Sequence, residues 1–254
     1  MTGHNCWGYG QKDGPSQWYK SYPIAQGSRQ SPIDIISTQA IFDPSLKPLS
    51  ISYGSDSSLG ISNNGHSVMV DFKDVDDKTA ISGGPLKNPY RLKQFHFHWG
   101  TSQKSGSEHT INGKSFPCEL HLVHWNAKKY TTFGEAVAAP DGLAVIGVFL
   151  EVRASASCMS RVSNLGNFKT CGLTLLPPGK RYWTYAGSLT TPPLHESVTW
   201  IVLKEAIQIS EKQVNLKFRS LLFTTEEDEK IPMVNNFRPP QPLKGRVVRA
   251  SFQI

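Results

Sequence analysis

Two runs of this chain alternate between polar and apolar positions with the two-residue period of a strand: Gln94-Phe95-His96-Phe97-His98-Trp99 and Glu119-Leu120-His121-Leu122-Val123-His124-Trp125. Successive strand side chains point to opposite faces. The pattern therefore puts Gln94, His96 and His98 on one face of the first strand, and Glu119, His121 and Val123 on one face of the second, with His124 turned away. Residues 143–150 and 198–203 are continuous apolar runs of strand length, suited to the centre of a sheet. Residues 33–36, 50–53, 59–62 and 67–72 are shorter strand candidates bounded by turn residues. Residues 132–137 read as a short helix. Residues 210–223 carry the clearest helical spacing, with Ser210 as N-cap and Leu216, Ser220 and Phe223 along one side. The first 32 residues read as an irregular arm, and residues 182–194 as a loop whose paired prolines are candidates for a cis bond. No repeat or linker interrupts the pattern. The expectation is one domain over 1–254, mainly β with short helices, around a large mixed sheet.

Composition narrows this only a little. Twelve Phe, eight Tyr and six Trp supply a substantial core, and 21 Gly with 17 Pro spread along the chain favour many short strands over long helices. No stretch approaches the roughly 20 apolar residues of a membrane-spanning helix. The N-terminal residues show no apolar leader. Cys6, Cys118, Cys158 and Cys171 form no CxxC pair, so free thiols and a cytoplasmic location are expected. The net charge of +7 comes from scattered residues, so neither nucleic acid nor membrane is expected as a partner. The one basic knot, Lys244-Gly245-Arg246 with Arg249, reads as a solvated face.

The histidines change the picture more. Three imidazoles on a rigid sheet, without thiolate or carboxylate ligands, describe a catalytic zinc site with an open fourth position. Neutral ligands leave the metal its full charge, which favours acidifying bound water. Gln94 and Glu119 each stand two residues before a histidine, on its face, where they can accept its second N–H. Other readings stay open. Each histidine alone could be a buried residue satisfied by backbone carbonyls. A cupin-type iron or manganese site would require a carboxylate that residues 99–104 do not offer, and a structural zinc would need a fourth ligand that is not evident. Nothing in the pattern singles out Thr190, and His66 reads as a polar residue after an Asn-Asn-Gly turn.

The motifs QFHFHWG at 94–100, GSEHT at 106–110, ELHLVHWN at 119–126 and SLTTPPL at 188–194 resemble the α-carbonic anhydrases, as do SPIDI at 31–35, NNGHSV at 63–68 and NNFRPPQPLKGRVVRASF at 235–252. The likeness spans nearly the whole chain and is strongest to vertebrate cytosolic members. It implies a twisted, largely antiparallel sheet of about ten strands, and one Zn2+ held by His96, His98 and His121. Gln94, Glu119 and the Asn236 carbonyl would support these ligands. Thr190 would accept a hydrogen bond from zinc-bound hydroxide and donate to Glu108, with Thr191 beside it. His66 would shuttle protons along a path bordered by Tyr9 and Asn64. Val123, Val145, Leu189, Val198 and Trp200 would form the apolar wall for carbon dioxide. The implied activity is reversible hydration of carbon dioxide to bicarbonate by a monomer sensitive to anions and sulfonamides. Zinc lowers the pKa of its bound water to about 7, a value for which carbonic anhydrase is itself the reference case.

Departures from the family pattern bear on these expectations. The chain is about a dozen residues shorter between Leu150 and Tyr182, leaving a divergent segment at about 152–175 ahead of the Thr190 loop. Met69 stands where a polar cleft residue is usual, Ala186 replaces Pro, and Phe237 replaces Trp. Ala25 and Leu194 occupy the places of the bridging cysteines of secreted relatives. Catalytically silent relatives have typically lost a zinc histidine, whereas all three are present here.

Overall fold

The computed structural model describes residues 6–54, 57–152, 176–178, 180–225 and 227–253; the divergent segment lies outside them. Its strands are β1 (Asp34–Ile35), β2 (Ile41–Phe42), β3 (Leu49–Tyr53), β4 (Ser58–Asn63) and β5 (Val68–Phe72). There follow β6 (Thr79–Gly83), β7 (Tyr90–Trp99), β8 (Thr110–Ile111), β9 (Cys118–Trp125) and β10 (Leu143–Val152). The last four are β11 (Tyr182–Gly187), β12 (Val198–Leu203), β13 (Ile207–Ile209) and β14 (Arg249–Ala250). Twelve form one sheet, two more than the resemblance implied, with the path β2-β14-β11-β12-β10-β9-β7-β5-β4. Off this path, β13 pairs with β10, β6 with β7 and β3 with β6, while β1 and β8 make a separate two-stranded sheet.

The two histidine strands are antiparallel neighbours, with His96 opposite His121 and His98 opposite Glu119. The apolar run of 143–150 becomes β10, between β9 and β12, and its first eight residues are buried. Alternation sorts two cores onto the two faces. Phe95, Phe97, Trp99, Leu120, Leu122, Ile146 and Val148 pack on one face with Val214 and Phe218. On the other, Val123, Val145, Phe149, Trp183, Tyr185, Val198, Trp200 and Val202 surround the histidine side. Burying such aromatic and branched side chains is worth about 2 kcal/mol each, so both faces resist a register slip, and the histidines are fixed to one of them.

Three expectations need correction. Residues 182–187 are not loop but strand β11, antiparallel to β12, so the loop is confined to about 188–194; the Pro192–Pro193 bond within it is cis. The helix expected over 210–223 is shorter. Ser210 caps it in a reciprocal capping box with Gln213, but the α-helical turn Glu211–Val214 passes into a π-helical turn, Asn215–Arg219. Its buried core residues are Val214 and Phe218, and Phe223, the last residue of the expected stripe, packs against the same core. The N-terminal arm holds two 3₁₀ turns, Pro15–Lys20 and Pro23–Gln26.

The basic knot is a clasp rather than an open patch. Lys244 Nζ donates to the carbonyls of Gln26 and Gly27, and the Arg246 guanidinium to those of Gln30, Ala186, Pro242 and Leu243. Arg249 pairs with Asp43 at 2.8 Å. No helix among the described residues is long and apolar enough to cross a membrane.

Candidate metal centre

Strand pairing builds the site as rows across one face. Met69, His96, His121, Gly147 and Val202 lie in register across β5, β7, β9, β10 and β12. The adjacent row on the same strands is Asp71, Gln94, Val123, Val145 and Trp200. Gly147 is small for a reason: a Cβ there would stand 3.2 Å from Glu119 Oε1.

The three histidine rings converge, with centroids 4.7–5.3 Å apart. In each ring one nitrogen is engaged: His96 Nδ1 with Gln94 Oε1 at 2.8 Å, His98 Nδ1 with the Asn236 carbonyl at 2.7 Å, and His121 Nε2 with Glu119 Oε1 at 2.8 Å. A neutral imidazole that donates from one nitrogen must offer a lone pair at the other. That leaves His96 Nε2, His98 Nε2 and His121 Nδ1 for an ion, and a ligand nitrogen from each ring lies within 4.8 Å of the others. His98 Nε2 is buried with no hydrogen-bond partner, as is Glu108 Oε2, 3.4 Å from it. Orphaned buried polar atoms are costly unless something else satisfies them, and a cation held by the three rings would do so here. Burial, aided by the neighbouring rings, holds His96 well below the usual histidine value and brings His98 down to about 3; burial also lowers His121. The neutral form thus favoured is the ligating one.

Glu119 is fully buried, and two oxygens carry its whole network. Oε1 takes His121 Nε2 and His109 Nδ1, and Oε2 accepts the backbone N–H groups of Glu108 and His109, each at 2.8 Å. Burial pushes this carboxyl up, but its interactions with His109 and His121 outweigh it and keep Glu119 ionised. Glu108 lies in the same interior. Burial and the charge of Glu119 push it up, against the pull of the Arg238 backbone N–H (2.8 Å to Oε1) and of the Thr190 hydroxyl.

The Thr190 loop is tied to the N-terminal arm. Ser31 and Ser188 exchange backbone-to-hydroxyl bonds at 2.9 Å, and the Tyr185 hydroxyl bridges Ser31 Oγ and His109 Nε2. Trp200 Nε1 donates to the Ser188 carbonyl, and its ring lies 4.8 Å from that of His121. Val123, Val145 and Val198 are buried in the same cluster, with Leu189 packed against it. Thr191 sits next along the loop, its carbonyl accepting from Leu194 N. His66 stands apart from the ligand cluster, its ring stacked on Trp7 at 3.7 Å; burial lowers its pKa while Asp13 opposes. Tyr9 packs beside Trp7 with its hydroxyl buried and unpartnered, and Asn64 lies exposed in the turn before His66. His124, on the far face, bonds the Tyr53 hydroxyl at 2.7 Å, in keeping with a structural place.

Sequence reasoning missed His109, Tyr185, Ser31 and Arg238. His109 had a signal, as the only histidine of GSEHT. The buried Arg238 guanidinium holds the arm by bonds to Gln30, Ser31 and Ala25.

A twisted sheet presenting three histidines from two adjacent strands, backed by a buried glutamate, defines a zinc lyase of the carbonic anhydrase class. The family model of eukaryotic-type carbonic anhydrases matches residues 13–252, and the chain belongs to that family. It is 66% identical to mouse carbonic anhydrase 7 and equally to the human protein, each over the full length of both chains. Mouse carbonic anhydrase 1 is 50% identical over 97% of this chain and 98% of its own. The alignments with the two carbonic anhydrase 7 proteins run over 264 positions against 254 residues here, so this chain lacks residues those relatives have. The protein is a carbonic anhydrase: a zinc-dependent enzyme that interconverts carbon dioxide and bicarbonate.

Proposed function

We propose that the chain acts as a monomeric, single-domain cytoplasmic carbonic anhydrase in which each group of the site has a distinct task. His96, His98 and His121 would hold one zinc, with Nε2, Nε2 and Nδ1 the ring nitrogens left free for it. The observation that carries this is the convergence of three lone-pair nitrogens whose ring partners are already bonded. Zinc there supplies an acidified water, and so a nucleophile, at neutral pH. Gln94, Glu119 and the Asn236 carbonyl fix ring orientation and tautomer.

Thr190 spends its proton on Glu108, so its oxygen is left to accept a hydrogen bond and orient the nucleophile. A dication beside Glu108 favours the carboxylate form that this requires. Val123, Val145, Leu189, Val198 and Trp200, with Thr191 at the edge, hold an uncharged linear substrate by apolar contact and offer little to a bicarbonate anion. His66 takes the released proton outward along Tyr9 and Asn64, because an imidazole changes charge near neutrality. Simple anions and sulfonamides compete at the open metal position. Cys6 and Cys118 are free thiols, which supports a reducing compartment.

The test is a pair of variants assayed for zinc and for hydration. His121→Ala loses most of its zinc and its activity. Thr190→Val keeps one zinc while hydration falls by about 100-fold, the usual cost of losing an orienting hydrogen bond. Wild-type hydration in Thr190→Val, or retained zinc and activity in His121→Ala, overturns the assignment.

A further inference from the structure

The chain contains two Asn-Gly pairs, Asn64-Gly65 and Asn112-Gly113, and the structure treats them differently. We propose that Asn64 is a site of spontaneous deamidation, and that its product sets a carboxylate two residues from His66. In the reaction the Gly65 backbone nitrogen bonds to Asn64 Cγ, and the Cγ–Nδ2 bond breaks. Nδ2 leaves as ammonia with the proton that the attacking nitrogen gives up. Solvent water then opens the cyclic imide to aspartate or isoaspartate, so that water enters and ammonia departs.

Asn64 is exposed and lies outside β4 and β5. Its Oδ1 accepts the backbone N–H groups of His66 at 2.9 Å and Ser67 at 2.8 Å. These bonds polarise the side-chain carbonyl and aim two donors where negative charge develops as the nitrogen attacks. Nδ2, the leaving group, has no partner among the described residues. Gly65 has φ +82°, and a Cβ on it would meet nothing nearer than the Phe223 carbonyl at 3.8 Å, so the nucleophile is sterically open. One bond opposes attack: Gly65 N donates to the exposed Asn63 side chain at 2.9 Å.

Asn112 is the internal comparison. Its Oδ1 accepts Ser37 N, its Nδ2 donates to Ser37 Oγ, and Gly113 N donates to Asp34 Oδ1, each at 2.9 Å. Leaving group and nucleophile are both tied to another segment, and Asp34 Oδ1 is itself held by the Thr110 hydroxyl at 2.6 Å.

Among the described residues, the groups facing His66 are Trp7 and Asp13 from the arm, Asn64 from its own turn, and Asn236, whose Nδ2 donates to the His66 carbonyl. Of these only Asp13 carries charge. A carboxylate at 64 adds a second negative group and raises the proton affinity of His66. This consequence rests on reading His66 as the proton-transfer group; the deamidation itself does not.

The experiment is peptide mass mapping of the zinc-loaded protein held at mildly alkaline pH and body temperature and sampled over weeks. Asn64 is expected to convert about ten-fold faster than Asn112, whose leaving group and nucleophile are both held by another segment, while the two convert at similar rates in the denatured chain. An intact Asn64, or an Asn112 that keeps pace in the folded protein, overturns the proposal. In a second arm, Asn64→Asp is compared with wild type by stopped flow at low buffer. The pH midpoint of turnover is expected to rise, and an unmoved midpoint overturns the link to His66. If His66→Ala also leaves low-buffer turnover unchanged, it is the proton-transfer reading that fails.

Discussion

His109 Nδ1 lies 2.7 Å from Glu119 Oε1, the same oxygen that takes His121 Nε2 at 2.8 Å. A histidine that binds no metal in this account thus fixes the carboxylate that fixes a metal ligand, and the Tyr185 hydroxyl anchors it from behind at 2.6 Å. His109→Ala leaves Glu119 charged, buried and short of a donor. The expected cost is about 3 kcal/mol of stability, with zinc affinity about ten-fold weaker. Urea unfolding and zinc competition measure the two. Lost stability with unchanged zinc affinity would limit His109 to packing.

His124 contributes to the pH dependence of folding from outside the metal centre. Burial holds its pKa down to about 3 in the folded state, whereas the unfolded chain has the ordinary value of about 6.5. The unfolded state therefore binds the proton first. The contribution is intact above about pH 6.5, declines as pH falls below it, and levels off only near the folded value. By about pH 5.5 the loss is about 1.4 kcal/mol from this residue. His124→Gln should show a shallower loss of urea stability between neutrality and pH 5.5 than wild type. Equal slopes would place the acid sensitivity elsewhere.

His66→Ala should slow turnover mainly when buffer is dilute, because hydration itself needs no group at that position. Added imidazole should restore the rate. A variant that small buffers cannot rescue would show that the proton leaves by another route.

Much of this was legible in the sequence. The alternation in β7 and β9 gave both the strands and the shared histidine face, because period two follows from strand geometry and does not depend on tertiary context. The run of 143–150 marked a central strand because residues buried on both faces must be apolar throughout. Strand β11 was missed because the two prolines that follow it suggested a loop, and β2, β8 and β14, two residues each, are too short to carry a period. His109 and Arg238 escaped for a different reason. Each is a single polar residue in irregular chain, placed by partners far away in sequence: Tyr185 and Ser31 for one, Gln30 and Ala25 for the other. Thr190 needed the family likeness, since nothing in its neighbours in sequence sets it apart.

The most direct test of the zinc assignment is stopped-flow carbon dioxide hydration on the purified chain, with zinc content determined on the same sample and a simple sulfonamide added in parallel. Fast hydration with one zinc per chain, abolished by the sulfonamide, is the predicted result. A folded protein that binds no zinc, or one that binds zinc and does not hydrate carbon dioxide, would contradict it.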